Sequence, residues 1–226
     1  MSTYGSAMTV TLEELVVADA AESWAALGFA VEGDVCDLGG IRIRLAGPEA
    51  GRGLVGWSLR GIETTELDGL PTTRADGPAS TDPAAAHSAS HPYGITALDP
   101  VVAITPRLER TVAALEAAGL DLRRIREEPT PAGAPRQAFF RLGATILEVV
   151  QEPGDVVERD GADRPAFFWG LAVLAPDLDT TVAGLGDCVS EIRPAVQPDR
   201  RIATLRRSAG LALPVALMTP PPGRAA

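Results

Sequence analysis

LERTVAAL (residues 108–115) and LDTTVAGL (residues 178–185) align with each other along their whole length. Leu, Thr, Val, Ala and Leu coincide, and Glu109 matches Asp179 in charge. The apolar spacing of both segments is typical of an amphipathic helix, and each segment follows an apolar run that is typical of a strand. The pair therefore indicates that one strand–helix unit occurs twice in this chain.

Further segments match in the same order after both helices. Ile125-Arg126 aligns with Ile192-Arg193, and RQAFFR (residues 136–141) aligns with RIATLR (residues 201–206). Strands are predicted at Ile95–Ile104, Asp121–Glu127, Gln137–Leu142, Thr145–Gln151, Phe168–Leu174 and Pro214–Met218. The repeated order of strand, helix and three strands predicts an internal duplication across residues 93–219.

The N-terminal part of the chain repeats this element order alone. Strands are predicted at Val10–Val17, Val31–Leu38, Gly40–Leu45 and Leu54–Ile62, with a helix inside Ala18–Phe29. Residues 64–92 are rich in Pro, Ala, Ser and Thr, which is typical of a flexible linker. We therefore expect an N-terminal module at 1–63, a linker at 64–92, a two-module domain at 93–220 and a tail at 221–226.

Composition excludes several classes of partner and chemistry. The net charge of -10 argues against a nucleic-acid partner, because neutralising phosphates needs a basic surface. All 20 basic residues are Arg, so Schiff-base and lysine-base mechanisms are excluded. Apolar stretches are too short to span a membrane, and no signal peptide opens the sequence. We expect a cytoplasmic protein without a membrane partner.

Three segments resemble the glyoxalase, bleomycin-resistance and extradiol dioxygenase group, or vicinal oxygen chelate superfamily. They are ITALDPVVAITPRLERTVAALEAAGLDL (residues 95–122), FFRLGATILEVVQEP (residues 139–153) and FWGLAVLAPDLDTTVAGLG (residues 168–186). The resemblance implies an α+β fold of repeated βαβββ modules. Two modules would form an eight-stranded cup, here with a third, N-terminal module. In the metal-dependent members, the first and fourth strands of each module hold a divalent ion in the cup.

The metal-ligand positions of that family are mostly unsuited to a metal in this chain. The resemblance maps them to Pro100, Glu148, Gly170 and Ala216, and Glu148 alone carries a donor. Useful sites need three or four donors, so we expect no standard metal site and no cofactor. One alternative is a displaced divalent-metal site that combines His91 with Gln197 or Asp199 from the third module.

Glu148 is the candidate catalytic residue. It lies in an apolar strand, and strand alternation would place Ile146, Glu148 and Val150 on one face of the sheet. If that face is the cup, burial would raise the pKa of Glu148 unless Arg141 or Arg206 pairs with it. Two alternatives stay open, a ligand-binding or general-base carboxylate and a structural salt-bridge partner.

Candidate ligand-binding residues are arginines that match between the two modules, and one tryptophan. The matched arginines are Arg136, Arg141, Arg201 and Arg206. Arginine recognises carboxylate or phosphate bidentately, which favours an anionic ligand, whereas the alternative is a solvated outer face of the sheet. Trp169 would supply a flat wall for a planar ligand or pack in the core.

The sequence thus supports two hypotheses about function. The first is a glyoxalase-like protein that binds a small metabolite, with an anion as one candidate, in a cup without the standard metal site. The alternative is a metal-dependent or Glu148-based lyase, isomerase or dioxygenase of the same superfamily. An odd number of modules also leaves one sheet edge open, so we expect a homodimer through module one. A monomeric mass by light scattering would contradict the homodimer.

Overall fold

The structure is a computed structural model that describes residues 9–76, 91–131 and 133–222. Residues 77–90 of the predicted linker lie outside these ranges. The described residues form an α+β fold of two sheets with four helices, which confirms the predicted fold class. The helices are α1 (Ala21–Ala26), α2 (Leu108–Ala117), α3 (Gly154–Asp160) and α4 (Leu178–Leu185). Among the described residues, no helix is long and apolar enough to cross a membrane.

The larger sheet contains the predicted duplication. Its strands are β7 (Ala97–Thr105), β8 (Asp121–Arg126), β9 (Gln137–Leu142), β10 (Thr145–Gln151), β11 (Phe167–Leu174), β12 (Arg193–Pro194), β13 (Arg201–Thr204) and β14 (Val215–Met218). Their spatial order is β12-β13-β14-β11-β7-β10-β9-β8. In each module the first strand pairs in parallel with the fourth, and the two first strands, β7 and β11, pair antiparallel at the centre. Modules two and three therefore form one continuous eight-stranded sheet.

The helices of modules two and three cover one face of this sheet. Leu108 and Leu115 of α2 and Leu178 of α4 are fully buried. Strand alternation directs Leu147 and Val149 of β10 toward the same face, where both are fully buried. The opposite face is not covered by α2 or α4.

The smaller sheet repeats the same pattern in its first four strands. They are β1 (Thr11–Val17), β2 (Val31–Glu32), β3 (Val35–Leu38) and β4 (Ile41–Leu45), in the order β2-β3-β4-β1. The prediction of one strand over residues 31–38 is wrong, because a turn at Gly33-Asp34 folds this segment into a hairpin. Gly33 has a φ of 64°, which suits glycine in a two-residue hairpin turn. Module one is therefore complete by residue 45.

Two further strands, β5 (Leu54–Arg60) and β6 (Thr72–Arg74), complete the smaller sheet. Strand β5 was predicted to end module one, but it pairs antiparallel with β1 as β11 pairs with β7. Strand β6 then pairs in parallel with β5, as a fourth strand pairs with a first. The described residues therefore contain three complete modules and a truncated fourth that keeps only its first and last strands.

The predicted linker is wrong for its first part, residues 64–76, which is folded onto module two. Leu67 and Leu70 are buried, and the carboxylate of Asp68 accepts hydrogen bonds from Arg110 Nε (2.8 Å) and the Thr111 hydroxyl (2.5 Å). The two leucines supply the apolar burial that the Pro-rich composition of the whole segment obscures. The segment is consequently part of the folded structure up to residue 76.

The two sheets share one hydrophobic core. Trp57 of β5 packs edge-on against Phe168 of β11 with ring centroids 5.0 Å apart, and Asp19 accepts a hydrogen bond from the backbone N–H of Ala212 at 2.6 Å. Because β5 covers the edge of β1, the open edge from which the homodimer was predicted does not exist. The homodimer itself stays a prediction.

Candidate functional site

The face of the larger sheet opposite α2 and α4 forms a cup. Residues from all eight strands line a single cavity of about 710 Å³, so the sheet curls around it. We call it the apolar cavity, because Val102, Ile104, Val150, Ala172 and Met218 line it. A second cavity of about 800 Å³, the polar cavity, adjoins it and is lined by Asp99, Arg124, Arg126, Glu128 and Arg200 among others. Glu148 and Phe139 line both.

Strand register places the four positions that the sequence resemblance maps to metal ligands together on the floor of the cup. Glu148 pairs with Val102, and Ala216 pairs with Ala172, in the parallel ladders of the two modules. Glu148 and Ala216 are therefore equivalent positions. Pro100 and Gly170 lie two residues before Val102 and Ala172 and are equivalent in the same way, and all four positions line the apolar cavity.

Glu148 is a half-buried carboxyl on this floor. Burial raises its pKa above the ordinary value, while the hydrogen bond from Gln137 Nε2 and the positive charges of Arg124 and Arg126 act in the opposite direction. The negative charge of Asp99 adds to the upward shift. Among the described residues, Glu148 forms no ion pair, so the structural salt-bridge alternative is wrong.

Arg136 and Arg201 are bound to carboxylates outside the cup. Arg136 contacts Glu109 of α2 and pairs with Glu127 at 2.7 Å, and Arg201 pairs with Asp179 of α4 at 2.7 Å. The pairs with Glu109 and Asp179 are equivalent in the two modules and connect each helix to its sheet. The sequence match between these arginines therefore reflects a structural contact, and neither residue lines a cup cavity.

Arg141 and Arg206 also lie away from both cavities. Arg141 is on the cup side of β9 but is exposed beyond the cavities, and its contact is a long hydrogen bond to the carbonyl oxygen of Gly143 (3.4 Å). Arg206 follows β13 and is exposed. The expected pairing of either residue with Glu148 is wrong, because the register of β9 and β10 places Phe139 opposite Glu148.

Other arginines, which sequence reasoning missed, line the cup. Arg124 and Arg126 project from β8, Arg193 projects from β12, and Arg200 precedes β13. Because side chains alternate along a strand, the sequence of β8 already indicated that Arg124 and Arg126 lie on one face. Which face that is depends on a register shift between Leu122 and Arg124, which the sequence does not reveal.

Trp169 lines the apolar cavity, as predicted for a flat wall. Its side chain is 54% exposed and that of Phe167, also on the cavity wall, is 38% exposed. The neighbouring Phe168 points to the core side, where it contacts Trp57. The core-packing alternative thus describes Phe168 and not Trp169.

Gly170 occupies a position where the backbone leaves no room for a side chain. A Cβ atom at this position would lie 2.4 Å from the carbonyl oxygen of Pro214 on the adjacent strand. Such a distance is far below van der Waals contact, and the obstructing atom belongs to the backbone. The position that the sequence resemblance maps to a metal ligand in module three is therefore closed by the approach of Pro214, just before β14.

The residues present do not fit a divalent metal in the cup. Of the four equivalent positions, Glu148 alone supplies a donor, and in the described ranges no group of three His, Cys, Asp or Glu side chains is arranged to hold a metal. The displaced site is wrong as well. His91 is buried at the junction of the sheets, with its ring 4.7 Å from Phe29 and 5.7 Å from Tyr93, whereas Gln197 lines the cup. Burial lowers the pKa of His91.

Module one carries ion pairs on the face that corresponds to the cup floor. The hydrogen bond from Ala46 N to Val17 O repeats the bond from Glu152 N to Thr105 O, so counting back makes Arg42 equivalent to Glu148. Glu14 pairs with Arg42 at 3.6 Å and with Arg44 at 3.2 Å. The candidate site is thus confined to modules two and three.

Comparisons with known proteins give structural matches alone. No family model and no curated protein matches the chain. A methylmalonyl-CoA epimerase from Mycobacterium tuberculosis is 18% identical, with 57% of this chain and 90% of that one covered and a TM-score of 0.46. A hypothetical protein from Bacillus halodurans is 13% identical, with coverages of 57% and 97% and a TM-score of 0.45.

A third match is a variant of methylmalonyl-CoA epimerase from Streptomyces coelicolor in complex with 2-nitronate-propionyl-CoA. It is 20% identical, with 56% of this chain and 98% of that one covered and a TM-score of 0.45. These identities are too low to transfer the ligand of the matched protein to this chain.

The close approach at Gly170 predicts a cost for adding a single methyl group. We expect Gly170→Ala to lower the free energy of unfolding by about 1–3 kcal/mol, because β11 and β14 must separate to admit it. Urea unfolding followed by circular dichroism measures the change. Gly154→Ala is the matched control, since a Cβ there meets no atom within 4 Å at the start of α3. Equal stability of the Gly170→Ala variant and the wild type would contradict the geometry.

The raised pKa of Glu148 predicts a pH-dependent gain from its neutral isostere. The folded state disfavours ionisation, so stability is fully present below the unfolded pKa, near 4.5, and is lost as the pH rises through the folded value. Glu148→Gln should therefore increase the free energy of unfolding, and the gain should grow between about pH 4 and pH 8. Urea unfolding across this range measures it, with the exposed Glu116→Gln as control. A gain that is the same at every pH would overturn the assignment.

Proposed function

We propose that this chain is a glyoxalase-like protein that binds a small molecule in the cup of modules two and three, without the family's usual metal. The observation that carries the proposal is a half-buried carboxyl, Glu148, on the floor of a large cavity whose other floor residues are apolar. Cavities of roughly 300–1,000 Å³ with a few polar groups are typical of ligand sites.

The two adjoining cavities, one apolar and one polar, favour a ligand with an apolar end and a polar end. The apolar cavity offers aliphatic side chains and the ring of Trp169, which favour an apolar body. The polar cavity offers three arginines, which favour an anionic group. An anionic small metabolite fits this arrangement, although the arginines that support it are not those predicted from the sequence.

The ligand site can be tested with a neutral fluorescent probe, phenylnaphthylamine. We expect saturable binding that Ala216→Phe weakens about tenfold or more, because the added ring fills the floor of the cavity. Val150→Phe fills the same floor from module two and serves as the second variant. Ala113→Phe makes the same change as Ala216→Phe on the exposed face of α2 and should bind the probe like the wild type.

Two outcomes would count against the proposal. The proposed ligand site is contradicted if binding of the probe does not saturate. It is also contradicted if neither cavity-filling variant weakens this binding while both remain folded by circular dichroism. The metal-free part is wrong if protein purified without added metal contains near-stoichiometric iron, manganese, nickel or zinc. Treatment with a chelator should leave probe binding unchanged.

A second candidate function is proton transfer by Glu148, as in a lyase or isomerase. The specific observation in its favour is the raised pKa of this carboxyl, since an acid or base works best when its pKa lies near the operating pH. The single hydrogen bond from Gln137 orients the carboxyl and leaves it open to the cavity.

Exchange of carbon-bound hydrogen in heavy water tests this candidate. We expect nuclear magnetic resonance to show loss of the methyl protons of pyruvate or a larger keto acid, with a rate about a hundredfold lower for Glu148→Gln. Glu116→Gln, on the exposed face of α2, is the control and should retain the wild-type rate. Exchange no faster than the buffer background across the keto acids would leave binding as the function.

A further inference from the structure

Some charged side chains of the cup are neutralised by other residues of the chain, and others are not. Glu152, at the end of the apolar cavity, is bound by Arg164 at 2.5 Å. Arg126 pairs with Glu128 at 3.5 Å. These four residues contribute little net charge to a ligand.

Arg200 and Asp99 form a second, more deeply buried group of opposite charges. Arg200 is 8% exposed and donates from Nε to the carbonyl oxygen of Thr219 at 2.7 Å. Asp99 is 7% exposed, and its negative charge acts on Arg200. Their charges offset each other behind the wall of the polar cavity.

Arg124 differs from all of these residues. Its guanidinium lies over the ring of Phe139, with Cζ 4.6 Å from the ring centroid. Among the described residues it makes no hydrogen bond and no ion pair, so none of its five N–H donors is used by a described residue. The stacking on Phe139 holds the group in place, and Arg124 lines both cavities.

Arg193 is the second cup arginine without a hydrogen bond or ion pair in the described part of the chain. It lies on β12, the edge strand opposite β8, and lines the apolar cavity from that side. It is exposed on a strand of two residues and no aromatic ring fixes it. We therefore regard Arg124 as the better prepared of the two.

The aromatic wall lies in the same cavity as Arg124. The side chains of Trp169 and Phe167 are 54% and 38% exposed, which is unusual for large apolar side chains. Covering them with an apolar ring would remove that surface from water and is favourable. Burial raises the pKa of Glu148, which disfavours a negative charge on the floor of the same cavity.

From this arrangement we infer the ligand class: the cup selects a planar aromatic anion, with its anionic group on Arg124 and its ring against Trp169. The inference rests on the proposed ligand-binding function and adds to it the chemistry that is selected. A carboxylate suits Arg124 because the guanidinium fork can form two parallel hydrogen bonds to it.

Naphthoate and its uncharged analogue naphthamide test the inference by isothermal titration calorimetry. We expect the wild type to bind naphthoate about tenfold or more tightly than naphthamide, because hydrogen bonds to a charged group are the stronger ones. Arg124→Gln should remove this preference by weakening naphthoate alone. Trp169→Ala should weaken both probes by similar factors, since it removes the surface that the shared ring covers.

Arg123→Gln is the matched control for charge. Arg123 precedes Arg124 on β8, lines neither cavity and pairs with Asp121 at 3.0 Å. It should therefore keep the wild-type preference. Arg193→Gln should cause a smaller loss than Arg124→Gln.

Several outcomes would overturn the inference. Equal affinities for the two naphthyl probes, or equal effects of Arg123→Gln and Arg124→Gln, would remove the anion preference at Arg124. A full loss in Arg193→Gln with none in Arg124→Gln would assign the anion to the opposite edge. In these cases binding of phenylnaphthylamine would show that the proposed ligand site still stands. If phenylnaphthylamine also fails to bind, the proposed function is wrong as well.

Discussion

The parallel pairing of the first and fourth strands in each module is the constraint on which the rest of the structure depends. It places these two strands side by side, and the antiparallel pairing of β7 with β11 then brings both pairs to the centre of one sheet. Residues far apart in sequence, such as Pro100, Glu148 and Ala216, consequently share one floor. Because side chains alternate along a strand, shifting β10 by one residue would turn Glu148 toward the helices.

The repeat made much of this fold predictable from the sequence. Helices α2 and α4 align because both must bury the same leucine stripe on the same sheet. Strands β9 and β10 were predicted with their observed bounds, since alternation is clear in both. The position of Glu148 on the cup floor follows from the same alternation. Predictions of this kind succeed where local pattern and tertiary environment agree.

The truncated fourth module and the folded start of the linker could not be predicted in this way. A strand of three residues such as β6 has too few positions to show a period, and its pairing with β5 is decided by contacts distant in sequence. Asp68 gives no local sign that Arg110 and Thr111 will bind its carboxylate. The tertiary contacts of this segment therefore outweigh a composition that is typical of linkers.

The arginines show why a match within the sequence did not identify the site. Arg136 and Arg201 match because each connects a helix to its sheet, a need that every module shares. A ligand site formed by two modules does not require matching residues in both. A single bound molecule contacts the two halves differently, so each half can carry its own residues. Module two carries the carboxyl of Glu148 at the position where module three carries Ala216 and module one carries Arg42, which pairs with Glu14.

The residues that differ between modules are therefore the better guide to function in this fold. Arg124 is stacked on the ring of Phe139, and Trp169 lies on β11 at the position where β7 carries Asp99. The repeated residues maintain the scaffold, because each copy must bury the same surfaces. Residues that act on a single bound ligand are therefore to be sought at positions that differ between the modules.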